Sequence, residues 1–113
     1  MHIKSVCIFL NVLELKKAPV LNSVTVKNST VLKIQWRAPD TDKYTGKITY
    51  FEICYFKSKS ISCSFVSVES SLVETAINGL QPNMEYKIKI RAVVALGHGP
   101  YSNNVTATTL EAG

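Results

Sequence analysis

Few side chains in this sequence could carry out chemistry. Histidine bases are limited to His2 and His98. His98 lies between Gly97 and Gly99, with no cysteine or serine elbow beside it. That glycine pair is not a phosphate cradle, because Pro100-Tyr101-Ser102 follows instead of a helix start or a lysine. Cys7, Cys54 and Cys63, even counted with the two histidines, lack zinc-site spacing. The acidic residues are scattered and form no Asp-x-Asp-x-Asp-Gly calcium loop. No nucleophile, base and orienting group can be assembled, so the chain reads as non-enzymatic, with no metal and no cofactor.

Two covalent modifications remain. Asn28-Ser29-Thr30 and Asn104-Val105-Thr106 are N-glycosylation triplets, open to use in a secreted chain and also frequent by chance. Cys54 and Cys63 flank Ser58-Lys59. A two-residue turn there pairs Lys57 with Ser60 and sets the two cysteines directly opposite each other. In a non-hydrogen-bonded antiparallel pair the Cα atoms approach to about 4.5 Å, within disulfide range. An oxidising compartment gives a bridge; a reducing one gives two free thiols. Serine-lysine is poor chemistry for so tight a turn, which favours glycine or asparagine.

The elements that position these residues are strands. Val20–Val26 alternates loosely behind Pro19 and reads as an edge strand. Val31–Trp36 alternates cleanly, with Leu32, Ile34 and Trp36 inward. Ile48–Lys57 is the third strand, Ser62–Glu69 the fourth and Thr75–Leu80 the fifth. In the fourth, Val66 and Val68 point inward while Cys63, Phe65 and Ser67 point outward. The sixth turns Tyr86, Ile88, Ile90 and Ala92 one way and Lys87, Lys89 and Arg91 the other. Pro82 and Asn78-Gly79 make a corner at its entrance. In a seventh strand Val105 and Ala107 face the core. No segment has helical periodicity.

Three motifs point to a family. Leu80-x-Pro82-x-x-x-Tyr86 enters the sixth strand, Gly97-x-Gly99-Pro100-x-Ser102 leaves it, and Trp36-Arg37-Ala38-Pro39 closes the second. Together they resemble the fibronectin type III family over about residues 18–109. Phe51, Ile53 and Tyr55 match its inward Tyr-x-Ile-x-Tyr slots, with phenylalanine in the first. The resemblance implies an all-β, seven-stranded, immunoglobulin-like sandwich of two antiparallel sheets. It makes Trp36, Tyr86, Leu80 and Pro82 structural core residues, with the Tyr86 hydroxyl bonded back to the preceding turn.

Length and charge agree with one such domain. The chain has 113 residues, 46% of them hydrophobic, enough for one core and not for a second. The net charge of +5 contains no lysine or arginine run of the kind nucleic-acid binding needs. It suits acidic partners or sulfated glycans, and ordinary solvated lysines also produce it. Residues 1–17 lie outside the expected domain. Val6–Leu13 is apolar apart from Asn11, either a weak secretory signal or the end of a linker or fragment. It is too short to span a membrane. Residues 110–113 read as a tail.

The resemblance implies an extracellular recognition or adhesion module of a receptor or matrix protein; alternatives are a mechanical spacer and a glycosaminoglycan-binding domain. No Arg-Gly-Asp lies between the sixth and seventh strands, and no Trp-Ser-x-Trp-Ser repeat occurs, so those two recognition modes do not carry over. Intracellular muscle-type repeats share the fold, but the glycosylation triplets and the cysteine pair suit a secreted chain. A contact surface is expected on the outward face of strands three, four and six. There Tyr50, Phe56 and Phe65 stand with Lys87, Lys89 and Arg91, where plain polar residues are the norm. A partner protein would use the aromatics and a sulfated glycan the cations; lysine stems covering the rings would leave only a solvated surface.

Overall fold

The computed structural model describes residues 15–41 and 46–112. They form eight strands and no helix: β1 (Val20–Val26), β2 (Leu32–Arg37), β3 (Ile48–Lys57), β4 (Ser64–Glu69), β5 (Glu74–Ile77), β6 (Glu85–Val94), β7 (Gly97–His98) and β8 (Val105–Thr108). One antiparallel sheet runs β1-β2-β5. The other runs β4-β3-β6, with both β7 and β8 paired to the far side of β6. The sequence suggested seven strands; the eighth is β7, which folds back on Val93 and Val94 through Ala95-Leu96. Two residues carry no readable period.

Side-chain alternation builds the interior. Leu32, Ile34 and Trp36 of β2 meet Phe51 and Ile53 of β3 and the Tyr86-Ile88-Ile90-Ala92-Val94 row of β6, all buried. Trp36 and Phe51 pack edge-on with centroids 5.6 Å apart, so a positive ring edge faces a negative ring face.

Hydrogen bonds fix the corner before β6. Leu80 and Tyr86 are buried, and the Gln81 N–H donates to the Tyr86 hydroxyl at 2.9 Å. Thr109 Oγ1 donates to the Gln81 carbonyl at 2.6 Å and accepts the Met84 N–H at 3.0 Å. Gln81 is therefore held from both sides. Gly79 takes a φ of +71°, a left-handed conformation that favours glycine. Pro82, placed in the core by sequence, is exposed. Its fixed φ shapes the turn, while the ring faces solvent because the corner carries Leu80 and Tyr86 inward on either side of it.

Three boundaries also move. Leu15 is buried, joins the core cluster and packs on Gly99, where an added Cβ would lie 3.2 Å from its side chain. The packed unit thus includes Leu15, three residues before the start read at Ala18; residues 1–14, with His2 and Cys7, lie outside the described residues. β5 ends at Ile77, not Leu80, because the Leu80 N–H turns to the Thr30 carbonyl at 3.0 Å. β4 begins at Ser64, not Ser62, with consequences for the cysteines.

Candidate functional site

β4, β3 and β6 lie side by side, so their outward residues form one surface. On β3, Tyr50 stands between Glu69 and Val93, Glu52 between Ser67 and Arg91, and Cys54 between Phe65 and Lys89; Phe56 is opposite Lys87. Tyr50 is 37% exposed and Phe65 57%, while Phe56 and the three cations are half-buried.

The charges on this face are not all free. Arg91 Nε donates to Glu52 Oε1 at 2.7 Å, and Nη2 donates to the same oxygen. Both side chains are only 19% exposed. The basic stripe read from sequence is therefore broken at Arg91: its direct cross-strand neighbour is a carboxylate, and such neighbours are within reach of each other. Lys89 Nζ lies 4.3 Å from the Tyr101 ring centroid and Arg91 Cζ 4.6 Å, both within cation–π range. Burial raises the Tyr101 phenol pKa above 10.0; the Arg91 charge opposes this and Glu52 reinforces it. Glu52 and Tyr101 were absent from the sequence-derived contact set. The cross-strand pairing could have revealed Glu52, whereas no periodicity tells where a loop tyrosine points.

Cys54 and Cys63 form a disulfide with Cα atoms 5.4 Å apart. They are not directly opposite, as the two-residue turn required: Cys54 faces Phe65. The turn itself closes, with the Ser60 N–H donating to the Lys57 carbonyl at 2.8 Å. Pairing then resumes at Tyr55 with Ser64, a return of four residues against two outgoing. The extra length places Cys63 just before β4, from where it reaches Cys54 diagonally. Cys54 is fully buried under the outer face.

The remaining sequence-marked residues are dispersed. Asn28 is exposed and its Oδ1 accepts the Thr30 N–H at 2.9 Å, an Asx turn. Asn104 is exposed, and continuing the β6–β8 register sets it level with Lys89. Ser102 of the Gly-x-Gly-Pro-x-Ser motif bridges the gap between β7 and β8: its Oγ accepts the Ile90 N–H at 3.0 Å and its own N–H donates to the Ile90 carbonyl at 2.8 Å. Among the described residues, no group of three or more His, Cys, Asp or Glu side chains could hold a metal ion. No helix among them is long and apolar enough to cross a membrane.

Two sheets, a buried tryptophan on β2 and a tyrosine corner before β6 converge on one assignment, and the family model for the fibronectin type III domain matches residues 17–108. The chain belongs to the fibronectin type III family. It is 31% identical to ephrin type-A receptor 7 of chicken (Gallus gallus) over 80 residues, 71% of this chain and 8% of the receptor. It is 34% identical to receptor-type tyrosine-protein phosphatase S of the same species over 103 residues, 90% of this chain and 6% of that protein. The chain thus spans less than a tenth of the length of either relative. The solution structure of the fn3 domain of human contactin 1 superimposes with a TM-score of 0.77 at 24% identity, covering 88% of this chain and 82% of the other. Both of these relatives of the fibronectin type III domain are receptors by name, which agrees with an interaction module.

Proposed function

We propose that this fibronectin type III domain is a protein-interaction module of an extracellular receptor or adhesion protein, with no catalytic role, and that its partner docks on the outer face of β4-β3-β6. One observation carries the reading: Tyr50 and Phe65 stand exposed on a sheet face among partly exposed cations. Contact centres are enriched in aromatics and arginine, and an idle sheet face is normally polar. A protein partner is favoured over a sulfated glycan, because the Glu52 carboxylate neutralises Arg91 and leaves Lys87 and Lys89 as the free charges. A secreted setting is supported by the Cys54–Cys63 bridge, since reducing compartments keep thiols reduced. In that setting exposed Asn28 and Asn104 are glycan acceptors, and a glycan on Asn104, level with Lys89, would crowd the same face.

The test uses two surface variants of the labelled chain, assayed on cells and on cell-derived matrix. Replacing Tyr50, Phe56 and Phe65 by serine should cost about 2 kcal/mol or more of binding energy. Replacing Lys87, Lys89 and Arg91 by glutamine should weaken binding far less. The reverse order, with salt-sensitive retention on heparin, would assign a sulfated glycan. Full binding by both variants would leave a spacer.

A further inference from the structure

We infer that the free edge of β4 pairs, antiparallel and about a two-fold axis, with β4 of a second copy of this chain. A sheet edge presents unpaired N–H and C=O groups, and folded proteins blunt such edges with short strands, bulges, lysine or proline. The other candidate edges here are blunted. β5 has four residues, with Glu74 ion-paired to Lys33 at 3.4 Å. β1 is broken by a register shift between Leu21 and Ser23, β7 has two residues and β8 has four. β4 has none of these devices. Ser64-Phe65-Val66-Ser67-Val68-Glu69 holds no lysine, proline or glycine, and its six-residue ladder with β3 runs without a shift. Among the described residues nothing pairs with its other side. Of the eight exposed large apolar side chains among the described residues, four, Ile61, Phe65, Leu72 and Val73, lie on this strand or its flanks.

The strand's own sequence argues for a second copy over an unrelated strand. A two-fold axis normal to the sheet keeps outward residues outward, so partners across it must share a face. With the axis at Ser67, each Val66 meets the other copy's Val68 on the inner side, and each Phe65 meets the other copy's Glu69 on the outer. Aliphatic pairs with aliphatic on the buried side, the arrangement that stabilises cross-strand neighbours. Charge agrees as well. β4 starts beside the turn that carries Lys57 and Lys59 and ends at Glu69. Antiparallel pairing brings the basic start of each strand towards the acidic end of the other, twice. The contact also continues the five-stranded sheet across both copies, consistent with the two-fold interfaces usual in homodimers.

Sedimentation equilibrium of the full chain alone, from micromolar to near-millimolar concentration, tests this. The expected result is a monomer–dimer equilibrium. Ser67 is exposed and its cross-strand neighbour on β3 is Glu52, so both S67K and S67E should fold, S67K melting like the parent and S67E slightly lower. Each should weaken the dimer by up to about fivefold, the effect of like charges placed directly opposite. Mixing S67K with S67E should restore dimer above the level of either alone, because the two-fold sets these residues against each other. A monomer throughout the range would overturn the proposal. So would a dimer indifferent to both substitutions, or a mass that grows past two copies. The measurement involves no other partner, so failure here leaves the outer-face reading standing.

Discussion

Tyr86→Phe removes one oxygen atom and leaves the ring, so it isolates the corner's hydrogen bond from its packing. Tyr86 is 5% exposed, and its hydroxyl accepts the Gln81 N–H at 2.9 Å. The variant leaves that N–H without its partner in a partly buried turn. An unsatisfied donor of this kind costs about 1–2 kcal/mol. For a domain of this size that corresponds to a fall in melting temperature of roughly 5–15 °C. Urea unfolding should show a lower midpoint with an unchanged slope, since the surface exposed on unfolding is the same. Thr109→Val attacks the same residue from the other side, because Thr109 Oγ1 donates to the Gln81 carbonyl and accepts from Met84. It should cost a comparable amount. If the two bonds act as one clamp on Gln81, the double variant will depart from additivity by about 0.5–1 kcal/mol. A Tyr86→Phe effect below about 0.3 kcal/mol would refute the argument, since it would mean that water replaces the hydroxyl without loss. Strict additivity would refute the clamp alone.

Trp36→Ala should destabilise by about 3–5 kcal/mol in the same denaturation assay, because a 2% exposed indole packed on Phe51 leaves a void when removed. Replacing Cys54 and Cys63 by alanine should cost about 2.5 kcal/mol from the chain entropy of a loop whose ends are 9 residues apart, and intact-mass analysis before and after reduction should show the bridge in secreted material. A chain beginning at Ala18 should be about 2–3 kcal/mol less stable than one beginning at Leu15, because Leu15 fills the space over Gly99; equal stability would exclude Leu15 from the working core. The Tyr101 phenol should titrate above 10.0 in an absorbance titration, and Tyr101→Phe should remove that transition. The raised folded-state value means that the unfolded chain loses this proton first, so Tyr101 contributes a loss of stability as pH rises from 10.0 towards its folded value, and none below.

The class of fold and most of the interior were legible in the residue pattern alone. Period-two alternation is a local property of a strand, so Leu32, Ile34 and Trp36, and Tyr86 through Ala92, declared their inward faces without reference to any partner. The corner was legible because turn chemistry is local too: Asn78-Gly79, Pro82 and Tyr86 lie within nine residues of one another. The neighbourhood of β3, β4 and β6 followed from the family resemblance, and with it the set of residues on the outer face. What tertiary structure decided was pairing at a distance. The Cys54–Cys63 geometry depended on how many residues bulge between the turn and β4, and nothing local counts them. Glu52 cancels Arg91 because two strands far apart in sequence share one register. Leu15, Thr109 and Tyr101 sit in segments without periodicity, so only the packed sandwich shows that the first fills the core, the second holds Gln81 and the third lies under two cations. Pro82 marks the opposite limit. Its effect on the chain direction was local and readable, but its exposure depended on where the corner sits relative to the sheets, and that is fixed only when they pack.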